Sequence, residues 1–176
     1  MNIKETEIFT LKKSEELPSR VSYWYALMQE TRKRLLRVVE NLKEKELDYS
    51  PNEDSFETIG TLLFHIAAVE WSWIFGDIDG EEMNFEEFKH AFPLRPEVNI
   101  PQLKGKGKQF YLDKLEEVRN QVHRRLFNLR DEDLSRLVGS DSKRYSIEWI
   151  LFHTIEHEAM HIGQIQLLRR LYSKRS

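Results

Sequence analysis

The chain has 176 residues, 40% hydrophobic and 32% charged, which is enough apolar material for one compact core and too much for a disordered chain. A formal net charge of -3 speaks against a nucleic-acid surface as the main business, because phosphate neutralisation calls for a concentrated basic patch and the basic runs at 104–108 and 169–175 are short. Cysteine is absent, so disulfides, thiolate ligands and a cysteine nucleophile are excluded, and any metal must be held by His, Asp or Glu.

The polar opening at 1–7 is followed only by Ile8 to Leu11, too little apolar sequence for a signal peptide, and no run approaches the roughly 20 apolar residues of a membrane span. A cytoplasmic protein away from the membrane is expected. A single domain is expected over 1–176, with 1–17 as an N-terminal extension.

In chain order, a long amphipathic helix is predicted over about 19–42, with Val21, Trp24, Met28, Thr31, Leu35, Val39 and Leu42 on one stripe. A turn containing Pro51 precedes a second helix marked by Ile59, Leu62, Ile66, Val69 and Trp73, which Gly76 and Gly80 end. Residues 76–108 hold three of the five prolines and four of the seven glycines, as expected of a crossover or a lid. A third helix over about 110–129 aligns Leu115, Val118, Val122, Leu126 and Leu129. A fourth starts at Ser146, an N-cap, and runs to about Leu171, with Arg169 and Arg170 where the helix dipole favours cations. Almost nothing alternates with period two, so the expected fold is an all-α four-helix bundle.

Residues 58–70 (TIGTLLFHIAAVE) align without gaps on 146–158 (SIEWILFHTIEHE), matching Ile, Leu, Phe, His and Glu at five positions. Helices two and four therefore read as related halves, with His65 and His153 at comparable depths.

On the fourth helix, Ile150, His153, His157, His161, Gln164, Leu168 and Leu171 form one seam expected to face the interior. Three imidazoles and an amide sit where an ordinary bundle places apolar side chains, and a buried polar cluster costs stability unless something satisfies it. A divalent metal does so, because neutral imidazoles four residues apart project from adjacent turns and close on one ion at about 2.0 to 2.1 Å. His157 and His161 have that spacing, and His65, at the edge of the buried half of helix two, supplies a third nitrogen. The alternative is a hydrogen-bonded histidine network around Gln164. His153 lies about 12 Å along the helix from His161, too far to share one ion with it, and is expected to line the pocket. His90 and His123 read as surface or boundary residues.

His157-Glu158-Ala159-Met160-His161 also satisfies H-E-x-x-H, in which Glu serves as general base of a zinc protease. After His161 no Asp, Glu or His remains as a downstream third ligand, and an all-helical chain has no edge strand to align an extended peptide. A protease of that type is set aside, while Glu158 is left either as a base or as a hydrogen-bonding residue.

TIGTLLFH at 58–65 and HEAMHIGQ at 157–164 resemble the DinB/YfiT-like superfamily in order and spacing, over about 19–171. The resemblance implies an up-down-down-up bundle, which makes 76–108 its crossover, and a homodimer. It implies one bound zinc or nickel on His65, His157 and His161, beside which Gln164 is carried as a cofactor-binding residue and His153 and Glu158 as catalytic ones. Ile162 departs from the Arg common there in the family. Some members transfer low-molecular-weight thiols such as bacillithiol to small electrophiles; a metal-dependent hydrolase and a noncatalytic metal-stabilised binding module are the other classes. An open metal position would bind a thiol as thiolate, or water at a pKa of about 7.

Overall fold

The computed structural model describes residues 8–52, 54–92 and 100–175; residues 1–7 of the expected extension and 93–99 of the expected crossover lie outside the described residues. The chain is mostly helical. Four long segments carry the core: α1 (Ser19–Val39), α3 (Ile59–Trp71), α5 (Lys108–Leu126) and α6 (Ile147–Ser173). Short α2 (Glu44–Leu47) and α4 (Phe85–Phe88) lie between them, the latter followed by a 3₁₀ turn, Lys89–Ala91.

Ser146 caps α6 as expected, its hydroxyl accepting from the Trp149 N–H at 3.1 Å, and Thr58 caps α3 in the same way through Thr61 N–H at 3.1 Å. α3 does not stop cleanly. Its hydrogen bonding widens into a π-helical stretch, Ser72–Ile78, that ends at Gly80, whose φ of 75° suits a residue without a side chain. A two-stranded hairpin, β1 (Leu137–Gly139) against β2 (Arg144–Ser146), stands where no strand was expected. Strands of three residues are too short to show a period in sequence.

Ile59–Ile78 has the length and composition of a membrane span, against expectation, but 67% of its most apolar window is buried inside the protein. This is a core helix.

α1 lies along α6, joined at one end by Arg20 to Glu148 at 2.8 Å and at the other by Arg169 to the Val38 carbonyl at 2.6 Å. α3 lies along α5, where Tyr111 packs on Gly60 and Arg119 reaches Glu70. α3 and α6 cross-contact in the opposite sense, His65 meeting His157 and Trp73 meeting Trp149.

The interior stripe of α1 is Val21, Tyr25, Met28, Arg32, Leu35 and Val39, so the buried residue in its middle is an arginine and not Thr31. Its charge is met from the other helices. Arg32 Nε donates to Glu158 Oε1 at 2.6 Å, its Nη2 to Glu70 Oε2 at 2.7 Å, and its Nη1 to the Leu115 carbonyl at 2.8 Å. Arg119 Nε donates to Glu70 Oε1 at 2.5 Å, its Nη2 to Glu158 Oε2 at 3.0 Å, and its Nη1 to the Met28 carbonyl at 2.9 Å. Two arginines and two glutamates, one from each long helix and each 6% exposed or less, thus form a closed, neutral quartet in the core.

Tyr111 is fully buried, its hydroxyl has no hydrogen-bond partner among the described residues, and a Cβ placed on Gly60 would lie 2.5 Å from that oxygen. Gly60→Ala should therefore destabilise the protein by about 1–3 kcal/mol despite alanine's better helix propensity, because the ring has nowhere to move. Tyr111→Phe removes the clashing, unpartnered oxygen. It should be neutral or stabilising alone, but Cζ and Cε2 would still lie 2.6 and 3.0 Å from the added methyl, so the double variant should keep most of the Gly60→Ala loss, read by urea denaturation.

Candidate metal centre

α3 and α6 bring His65, His157 and His161 together. His65 Nε2 lies 3.1 Å from His157 Nε2, and His161 Nε2 lies 3.0 Å from the same atom, with one ligand nitrogen from each residue inside a 4.8 Å sphere of mutual distances. Nitrogens around one ion at 2.0 to 2.1 Å are separated by about 2.9 to 3.4 Å for angles between square and tetrahedral. The two distances fall in that window.

The far side of each ring explains the arrangement. His65 Nδ1 is 2.8 Å from the Ala91 carbonyl and His161 Nδ1 is 2.6 Å from Gln164 Oε1. Both acceptors require the ring proton on Nδ1, so both Nε2 atoms carry lone pairs, aimed at His157 Nε2. One proton on His157 cannot serve both. A cation shared by three nitrogens satisfies all of them, and an all-nitrogen set suits Zn or Ni better than Mg or Ca.

Burial favours the neutral form of His157 and His161. It pushes His157 down to about 3, reinforced by His161, His65 and His153, and it pushes His161 down against the opposing Gln164 hydrogen bond and Glu57 carboxylate. Neutral imidazole is the form that binds metal.

Of the other residues expected at the site, Gln164 is present, but as the exposed partner that orients His161. His153 stays outside the cluster. Its ring stacks on Trp149 at 4.8 Å, meets Trp73 edge-on at 4.9 Å, and lies 6.2 Å from the His157 ring, while Nδ1 faces Glu156 at 3.3 Å. Of the two roles left open for Glu158, a base or a hydrogen-bonding residue, the structure shows the hydrogen bonding. One residue past His157 is about 100° of helical turn, which carries its carboxylate into the core and onto Arg32 and Arg119. The expected interior seam is corrected for the same reason: the buried stripe of α6 is Ile147, Ile150, Leu151, Thr154, Glu158, Ile165 and Leu168, and the histidines line its half-buried edge.

Glu57 was missed. It immediately precedes the Thr58 cap and acts electrostatically on His161. The only hint in sequence was its place beside the TIGTLLFH segment. His90 contacts the Pro101 carbonyl at 3.0 Å, and His123 stacks on Tyr25 at 4.6 Å; neither joins the cluster. Cavities of about 480 Å³ beside Ile8 to Lys12 and about 630 Å³ near Arg169 and Lys174 contain none of the three histidines.

The sequence profile of the DinB superfamily matches residues 27–165, and the chain belongs to that superfamily. It is 24% identical over 159 residues to the uncharacterized protein YkkA of Bacillus subtilis, covering 85% of this chain and 86% of that one. Its fold is similar to the crystal structure of a conserved protein from Enterococcus faecalis, with a TM-score of 0.66 and 18% identity over 84% of this chain and 94% of that one.

The pH dependence of the metal-free protein follows from His157. Its unfolded pKa is about 6.5 and its folded pKa about 3, so between those values the unfolded chain holds a proton that the folded chain does not. The full stability is present above about pH 6.5 and declines as pH falls toward 3. His157→Gln should flatten this slope in chelator-treated protein, measured by denaturant midpoints across that range; an unchanged slope would assign the acid loss to other groups.

Proposed function

On its membership of the DinB superfamily and the three convergent imidazoles, we propose that this protein is a metal-dependent enzyme that transfers a low-molecular-weight thiol of the bacillithiol type to a small electrophile. The observation that carries the reading is the pair of lone pairs on His65 and His161, both directed at His157 Nε2. His65, His157 and His161 would hold one Zn or Ni ion, which supplies Lewis-acid charge that favours the thiolate at neutral pH.

The chain's own groups divide the remaining work. Ala91 and Gln164 hold two rings in the tautomer that presents Nε2. Glu156 is an acceptor only, so His153 donates through Nδ1 and keeps its Nε2 lone pair to receive the thiol proton. Trp149 and Trp73 fix the plane of that ring. The hydrolase reading is weaker, because the carboxylate it would use as a base, Glu158, is engaged by two arginines.

The same contacts between helices support an up-down-down-up order, with 76–108 as the crossover. We place the protein in the cytoplasm, where such thiols are abundant, and assign it a homodimer. The sequence also offers apolar outer faces for a dimer, Phe152, Ile155, Ala159 and Gly163 on α6 and Phe64 and Trp71 on α3; Phe64 is buried and Trp71 is covered by Phe75 and Phe88, whereas Phe152, Met160 and Leu167 on α6 are 45%, 54% and 47% exposed.

Two measurements test this reading. Purified protein should carry about one Zn or Ni per chain. Alanine at His65, His157 or His161 should abolish retention, Gln164→Ala should weaken it about 10- to 100-fold, and His153→Ala should keep the metal while losing thiol consumption with a model electrophile. Absence of transition metal after reconstitution, or metal retained in His65→Ala, defeats the reading. For assembly, light scattering at micromolar concentration should give a dimer mass that Phe152→Glu with Leu167→Glu reduces to the monomer.

A further inference from the structure

The two ligand-bearing helices belong to different pairs: α3 packs most extensively on α5, and α6 on α1, while α3 and α6 touch each other less. Yet the site needs His65 on one and His157 on the other placed to within a few tenths of an ångström, since ligand distances around an ion tolerate little more. Apolar packing does not supply that. It is non-directional, and a helix can slide on an apolar neighbour at modest cost.

The core quartet is directional, and its wiring runs between the pairs. Arg32 on α1 holds Glu158 of α6 at 2.6 Å and Glu70 of α3 at 2.7 Å; Arg119 on α5 holds Glu70 at 2.5 Å and Glu158 at 3.0 Å. Each arginine therefore grips one carboxylate from each ligand helix. Both guanidinium groups spend their remaining nitrogen on a carbonyl, Leu115 for Arg32 and Met28 for Arg119, so each fork is also fixed to a third helix. Glu158 is the next residue after His157, and Glu70 lies five residues, about 7.5 Å of helix rise, beyond His65. Sliding α3 against α6 would break several buried, charged hydrogen bonds at once.

Resting on the metal-centre reading above, we propose that Arg32, Glu70, Arg119 and Glu158 are positioning residues for the metal, locking α3 and α6 in the register at which His65 meets His157 and His161. None of the four reaches the ion. Glu158 of the H-E-x-x-H segment then serves the metal through the backbone of α6 rather than through chemistry. A buried ion quartet is a poor source of net stability, since apolar residues of similar volume are often as stable or more so. Stability and metal affinity should therefore separate.

The test replaces the quartet by an apolar set, Arg32→Met, Glu70→Leu, Arg119→Met and Glu158→Leu, and titrates metal-free protein with Co(II), read by its visible absorption. The expected variant unfolds cooperatively, with a metal-free Tm at or above that of the parent, and binds Co(II) 10- to 100-fold more weakly with an altered spectrum. Parental affinity and spectrum in a folded variant overturn the proposal. If the fourfold variant does not fold, Arg119→Lys decides, because it keeps the charge and loses the fork: about tenfold weaker Co(II) binding at a Tm within a few degrees supports the role, and unchanged binding refutes it. A parent protein that fails to bind Co(II) defeats the metal-centre reading itself, an outcome distinct from equal binding by parent and variant.

Discussion

Four buried charges at the meeting of four helices are the constraint on which the rest of this structure depends. Desolvating them is costly, and the cost is met only when every donor and acceptor is used together. Burial alone would raise the Glu70 carboxyl, but the Arg119 and Arg32 charges and hydrogen bonds outweigh it and hold the group below the ordinary carboxylate range. Burial likewise opposes the Arg119 charge, and Glu70 and Glu158 reverse that effect. The helices can adopt few relative positions that leave no member unpaired.

α6 carries two polar stripes side by side, and their separation organises the chemistry. Glu158 faces inward to the arginines, whereas His157 and His161, about a quarter turn away, face the half-buried cleft toward His65. A segment that reads as a protease helix thus divides its acid and its imidazoles between two environments. The acid is satisfied by guanidinium groups. The imidazoles are left with converging lone pairs, and that is what suits them to hold a metal.

The internal similarity between 58–70 and 146–158 acquires a physical meaning. Thr58 and Ser146 are both N-caps, and Glu70 and Glu158 are the two acids of the quartet. Arg32 donates to the carbonyl four residues before Arg119, and Arg119 to the carbonyl four residues before Arg32, so the core has an approximate two-fold relation. The relation fails at the site. The positions on α3 that match His157 and His161 are Val69 and Trp73, and His153, the counterpart of His65, meets Trp73 at 4.9 Å where His65 meets His161 at 4.9 Å. One half carries the three-histidine cluster and the other an aromatic cluster.

The sequence alone specified the four long helices, the cap at Ser146, and the choice of His65, His157 and His161 as candidates, because helical spacing, capping and imidazole chemistry are local properties. It also set His153 apart from His161, from helix rise alone, and the structure leaves it outside the three-histidine cluster. Only the tertiary structure decided which way Glu158 points, since one residue of helix phase separates a core position from a cleft position and the stripe of α6 can be drawn through either. Arg32 was hidden for the same reason: Thr31 fits the stripe nearly as well, and a buried arginine is credible only once Glu70 and Glu158 from two other helices are seen around it. The Ala91 carbonyl that sets the His65 tautomer comes from a segment 26 residues away, and no local rule connects a backbone carbonyl to a ring nitrogen at that separation.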